Sequence, residues 1–549
     1  AYYLHSSPIP TTYPIISYLI GLHPLLLSKI LKEMKKITLL LSCVLIALGS
    51  QAGKIKFVEY DLPNGLHVIL HEDHTTPTVA ISVLYHVGSK DEQSDRTGFA
   101  HFFEHLLFEG SENIERGEYM KLVQNSGGVI NANTSFDRTF YFETLPSNKL
   151  EQGLWMESER MLHAKIDNVG LETQRKVVKE EKKQRYENTP YGHLIEQIFA
   201  NAYEKHPYQW TPIGEAQYID QASLSEFMDF YKTFYVPNNA TLSIGGDLNI
   251  AQAKKWIAKY FSTIPRGTKA IPRNTVVEPK QNKEKRATYY DKIQLPACVF
   301  AYHIPGQNTP DYYALEMLTN ILSQGKSSRL QKAVVDKKQK AVQCAAFNYP
   351  TEDPGLAMMF GIANMGVSVD ELEKAIDEEV NKVVANGVTA EELQKAKNST
   401  ENSFYSANSS ILGIVENLAN YHVYYGDANL INNEIDRYMK VTLADIKRVA
   451  KKYLQKDNRL ILHYLPEGDR AKNSAKSLQL KKSKMSGATK KKEEKVEAPV
   501  EKTVPGSSIS EDQMDGVPFD KAFQFYRQRL GKGQYFKWRG RTYSTDYKK

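Results

Sequence analysis

Cysteine is nearly absent from this chain, with 3 in 549 residues. That scarcity excludes the disulfide framework that holds many small secreted domains together. Cys43 falls in a segment read below as removed, and the sequence does not decide whether Cys298 and Cys344 pair. The most apolar stretch, Ile37 to Leu48, is too short to span a bilayer comfortably. Also missing are a phosphate-cradling glycine loop and the nucleophile elbow of serine hydrolases. Excess charge of one sign is confined to the tail. From Gly468 onward there are 20 Lys+Arg against 10 Asp+Glu, so the formal net charge of +7 conceals a body at −3. A mildly acidic body gives no reason to expect nucleic-acid binding there.

With 41% hydrophobic and 25% charged residues, the composition is that of a globular protein with a large core. Residues 34–52 read as a secretory signal peptide: Lys35 and Lys36, then the apolar run, then Ser50-Gln51-Ala52 with small residues at the recognition positions. Leu40-Leu41-Ser42-Cys43 loosely matches a lipobox, but the apolar run continues past Cys43, which favours plain cleavage after Ala52. The expectation is an exported protein, periplasmic or associated with the cell envelope, with no transmembrane anchor in the mature chain. Residues 1–33 fit no signal pattern and read either as leader sequence ahead of Met34 or as a hydrophobic extension.

The body reads as α+β, with mostly antiparallel sheets packed with helices. Pro63-Asn64-Gly65 marks a hairpin turn between strand-like segments. Helices are expected over Thr97 to Glu109, Leu171 to Glu187 and Ser223 to Phe234, the last capped by Ser223. Pro265 to Lys285 is rich in proline and charge and aperiodic, as a linker would be. After it the pattern restarts: Pro296 to His303 echoes Pro77 to His86, and a helix follows each. This predicts two homologous domains, 54–268 and 286–467. A disordered Lys-rich linker over 468–517 follows. Residues 518–549 carry the helical stripe Phe519, Ala522, Phe523, Tyr526 and Leu530, then Tyr535, Phe536, Trp538 and Tyr543. They read as a small helix-hairpin module or as an amphipathic tail without a fold of its own.

Chemistry concentrates in His101-Phe102-Phe103-Glu104-His105. On a helix, positions i and i+4 share a face, so both imidazoles reach one point, with Glu104 beside them. Two imidazoles with a carboxylate free to act as a base are what a zinc hydrolase needs, in the inverse order of the commoner H-E-x-x-H. A third ligand is required. In Glu172 to Glu181, the residues Gln174, Val177, Val178 and Glu181 recur at helical spacing, which puts Glu181 on the buried side and leaves Glu180 solvated. His71-Glu72-Asp73-His74 lies at a strand exit without helical spacing and reads as solvated polar residues.

From about Lys54 to Pro466 the sequence resembles the pitrilysin/insulinase/mitochondrial processing peptidase family of inverzincin metallopeptidases. The resemblance is carried by Gly98-Phe-Ala-His-Phe-Phe-Glu-His, Val177-Val-Lys-Glu-Glu, Phe234-Tyr-Val-Pro-Asn-Asn-Ala-Thr-Leu and Gly325-Lys-Ser-Ser-Arg-Leu. It implies one Zn²⁺ per chain held by His101, His105 and Glu181, with Glu104 as general base in a zinc-dependent endopeptidase. It also implies that Asn131 and Ala132 lie on an edge strand that binds extended or unfolded peptides by strand addition. The resemblance also places Gln174 where family members often carry a Glu that backs the metal ligands. Val335 and Val342 fall where the family has an Arg and a Tyr that steady the substrate. Members that divide the labour between two chains suggest a heterodimer whose homologous partner subunit supplies that Arg/Tyr pair. The competing expectation is a non-catalytic scaffold or binding subunit of the same fold.

Overall fold

The computed structural model describes residues 54–471, 519–530, 535–538 and 541–544. The leader and signal segments, and most of the Lys-rich linker, lie outside the described residues.

The first half builds a six-stranded sheet from β1 (Val58–Asp61), β2 (His67–Glu72), β3 (Thr78–Tyr85), β4 (Val129–Thr134), β5 (Thr139–Pro146) and β6 (Ala240–Gly246). Their order is β1-β2-β6-β3-β5-β4. The second half builds a five-stranded sheet from β7 (Lys285–Asp291), β8 (Ala297–Ile304), β9 (Ala341–Tyr349), β10 (Gly355–Ala363) and β11 (Arg459–Pro466), in the order β7-β11-β8-β10-β9. Apart from β1 the two orders correspond strand for strand. In each sheet one pair is parallel, β2 with β6 and β7 with β11, where the last strand of each half returns beside an early one. All other pairs are antiparallel. The α+β reading and the duplication of the sheet are what the structure shows.

Each sheet buries one face on its own helices and the other on a helix from the opposite half. Ile69, Leu84 and Phe140 of the first sheet meet Ile414, Leu418 and Ala419 of the helix Ile411–Tyr425. Val299, Met358 and Leu462 of the second meet Ile198 and Phe199 of the helix Leu194–Ala202. At about 25 cal/mol per Å² of apolar area, this exchange makes each half a large part of the other's core.

A buried ion cluster ties the halves together. Lys90, 5% exposed, places Nζ 2.9 Å from Asp137, 2.5 Å from Glu352 and 3.5 Å from Asp353. His86 reaches Glu352 at 2.8 Å, and the Tyr208 hydroxyl donates to Asp137 at 2.6 Å. Each buried charge is thereby paired, as its desolvation requires. Glu352 and Asp353 sit in the turn between β9 and β10, so the tip of that hairpin is fastened to the first half.

Cys298 on β8 and Cys344 on β9 are both free. Gly361 of the intervening β10 pairs with each of them. Two strand spacings separate their backbones by roughly 9–10 Å, beyond disulfide reach. His71 is 7% exposed, with Nδ1 on the Lys56 carbonyl at 2.7 Å. It is therefore a buried histidine, whereas Glu72 and His74 are exposed and Asp73 is half-buried, as the expected solvation requires.

In the C-terminal unit, the helix Phe519–Leu530 accompanies a hairpin of β12 (Tyr535–Trp538) and β13 (Arg541–Ser544). Phe523, Tyr526 and Phe536 form a small apolar cluster within it.

Candidate metal centre

The helix Phe99–Leu106 is divided lengthwise by chemistry. Phe102, Phe103 and Leu106 are fully buried, with Phe102 and Phe103 against Phe227 and Phe103 also against Phe230 and Tyr231. His101, Glu104 and His105 take the opposite face. The helix is shorter than the expected Thr97 to Glu109, because Gly98 enters it with φ 98°, a conformation that favours glycine. The buried carboxylate of Glu92 caps it, accepting the N–H groups of Gly98 (2.9 Å) and Ala100 (2.8 Å).

Glu181 comes from the helix Asn168–Lys182, which starts at an Asp167 cap and continues as a wider turn over Lys183–Glu187. Leu171 and Val178 anchor it in the core. Val177, expected on the same buried stripe, is 43% exposed, so the buried stripe of this helix is narrower than its apolar spacing implies. Lys182 donates to the Gly214 carbonyl at 2.7 Å, and Glu215 N–H donates to Thr97 Oγ1 at 3.1 Å. One turn therefore registers both helices.

That register brings three side chains to one point. His105 Nε2 is 3.1 Å, and His101 Nε2 3.5 Å, from Glu181 Oε2. Zinc bonds of about 2.0–2.2 Å at tetrahedral angles set ligand atoms roughly 3.3–3.5 Å apart, so the donor set fits such an ion. Burial, helped by the neighbouring His105, pushes the His101 pKa down to about 4, which keeps the ring neutral and able to ligate. For Glu181, burial acts to raise the pKa. The His105 hydrogen bond and the charges of His101, His105 and Arg185 outweigh it and hold the carboxyl below its ordinary value. Glu104 lies beside this point. Burial raises its pKa against the Thr134 hydrogen bond, in which Oγ1 donates to Oε2 at 2.6 Å.

Gln174 touches none of the three metal-facing side chains through a hydrogen bond. It donates to Glu109, which Arg116 also pairs, and its own Oε1 is buried without a partner. β4 is an edge of the first sheet. Ala132 and Thr134 fall on the strand face toward the motif helix, while Asn131 alternates to the other and caps the Ala132 N–H at 2.9 Å. Val335 is half-buried and Val342 is 50% exposed.

Sequence reasoning missed Thr134, Arg185 and Glu92. Period-2 alternation from Ala132 could have found Thr134, and the i, i+4 spacing from Glu181 could have found Arg185, whose guanidinium lies 3.0 Å from Glu181 Oε1. No local signal exists for Glu92.

Residues 67–214 match the family model described as insulinase (peptidase family M16), and 221–400 that of the peptidase M16 inactive domain. The zinc protease PqqE of Helicobacter pylori is 32% identical over 430 residues, covering 77% of this chain and 97% of that protein. The chain belongs to the M16 peptidase family. A probable mitochondrial-processing peptidase subunit beta of Arabidopsis thaliana is 24% identical, over 72% of this chain and 75% of that one. Among solved structures, a protease from Helicobacter pylori superposes with TM-score 0.72 at 31% identity, covering 75% of this chain and 100% of that chain. An M16 inactive domain from Pseudomonas fluorescens shares the fold at TM-score 0.68 and 18% identity, covering 75% and 98%. Within this M16 chain the zinc-type motif lies in the segment matched by the first model.

Proposed function

We propose that this M16 protein is a zinc-dependent endopeptidase acting on extended or unfolded peptides. The observation that carries the reading is the convergence of His105 and Glu181 at 3.1 Å, with His101 and Glu104 alongside. His101, His105 and Glu181 would hold one Zn²⁺. When bound, zinc supplies Lewis acidity, polarising a carbonyl and lowering the pKa of water toward neutrality. Glu104 takes the proton of the attacking water and returns it to the departing amine. Its carboxyl, pushed upward by burial, suits both transfers. Thr134 fixes one of its oxygens and leaves the other facing the reaction. The open edge of β4 around Asn131 and Ala132 receives the peptide as an added strand, by main-chain bonds that disregard its sequence.

The second half offers Val335 and Val342 where the resemblance leads one to expect hydrogen-bond donors. We therefore propose a homologous partner subunit that supplies an Arg/Tyr pair, loss of such donors costing on the order of 10²–10³ in rate. Export rests on the tripartite pattern of residues 34–52. Among the described residues no helix is long and apolar enough to cross a membrane.

Metal analysis of the purified chain, combined with hydrolysis of an internally quenched unstructured peptide, tests the reading. One zinc per chain with cleavage abolished by chelation is expected. A chain that carries no zinc and cleaves nothing is instead the scaffold of the competing reading.

A further inference from the structure

The cleft beside the metal-facing side chains is closed by the other half of the chain. His101, Thr134, Glu181 and Arg185 contribute to one side of it, Tyr349 at the end of β9 lines the other, and it encloses about 190 Å³. The Tyr349 ring packs edge-on against Phe136 and Phe199, with centroids 5.4 and 5.1 Å away. A phenylalanine would pack as well. The hydroxyl is what a phenylalanine would lack, and among the described residues nothing hydrogen-bonds to it. Burial pushes its pKa up to about 12, so it stays a donor throughout the neutral range. The residue is only partly buried and its hydroxyl is not sealed from solvent, so water serves it until an acceptor on a bound peptide takes that place.

The position of the ring is fixed. Three residues beyond it, Glu352 joins Lys90 and His86, and its own N–H donates to Asp137 at 3.0 Å. The hairpin tip is thus bonded to the first half, so the phenol is held by rigid structure rather than by a loop. Thr134, which ends β4, lines the same cleft. A peptide paired along β4 runs past it, and the group such a peptide presents at every residue, whatever its sequence, is a main-chain carbonyl.

We infer that Tyr349 donates its phenolic hydrogen to a main-chain carbonyl of an extended peptide bound at the metal cleft. The second half thereby takes a direct part in substrate binding within the same chain. The inference rests on the peptidase reading above.

The test compares the full chain with its Tyr349→Phe variant on an internally quenched unstructured peptide, with zinc content and melting temperature measured alongside. Expected is a fall of about tenfold or more in kcat/KM with zinc content and melting temperature unchanged. A Val342→Ala control, at the exposed start of the same strand, keeps the parent rate. A Phe variant within twofold of the parent overturns the inference, as does a loss that merely follows lost zinc or lost fold. A parent that loads zinc yet cleaves nothing, both alone and with a homologous partner subunit added, overturns the peptidase reading itself. An active parent with an unaffected variant overturns only the role of Tyr349.

Discussion

Thr134 donates its hydroxyl hydrogen to Glu104 across 2.6 Å, joining the edge strand to the carboxylate of the motif helix. With one oxygen so occupied, the other is free to exchange protons. Glu104→Gln preserves size and most hydrogen bonding but cannot accept a proton at that oxygen. Peptide hydrolysis is expected to fall by about 10³-fold or more, while zinc measured by plasma mass spectrometry stays at the parent level.

Glu181→Ala should act on the metal instead. With one of three donors removed, zinc content after dialysis against a weak chelator is expected to fall well below the parent's, and activity with it. Added zinc should restore part of the rate, as it would not for Glu104→Gln.

His422 stacks on His67 with ring centroids 3.5 Å apart and planes 4° from parallel. Burial and the neighbouring ring hold its pKa down to about 4, while Asp61 and Glu59 grip His67. Unfolded, His422 titrates near 6.5. Between these values the unfolded chain binds a proton that the folded chain refuses. This contribution to stability is complete above about pH 6.5 and is lost progressively as pH falls toward 4. The melting temperature should therefore drop between pH 7 and 5, and His422→Asn should flatten that drop.

Gly214 has φ 60°, and a Cβ there would meet Gly98 N at 2.3 Å and Gly98 Cα at 2.4 Å. Gly214→Ala is expected to cost roughly 1–3 kcal/mol. Because the same turn registers both ligand-bearing helices, zinc affinity should weaken with the melting temperature, as calorimetry and metal titration would report.

Local periodicity made much of this readable in advance. His101, Glu104 and His105 are close in sequence, and helical spacing alone puts them on one face. Glu181 followed from the same rule on another helix, though the exposed Val177 shows that apolar spacing does not fix how wide the buried stripe is. Ser223 was legible as a cap, and the structure gives it a reciprocal capping box with Glu226. What stayed hidden depends on pairing across long loops. The return of β6 beside β2, the cap from Glu92 and the arrival of Tyr349 opposite His101 are set by tertiary packing, for which no short window carries a signal. The burial of His71 was missed for the same reason, since its acceptor belongs to the segment before β1.

The reciprocal covering of the sheets has a bearing on how this molecule can be divided. A fragment ending after the first half would leave Ile69, Leu84 and Phe140 uncovered, and one beginning at the second would strip Val299, Met358 and Leu462. Either piece alone would be prone to aggregate. A protease nick between Pro265 and Lys285, by contrast, would sever the backbone and leave both pieces clasped, so that gel filtration under native conditions would still return a single species.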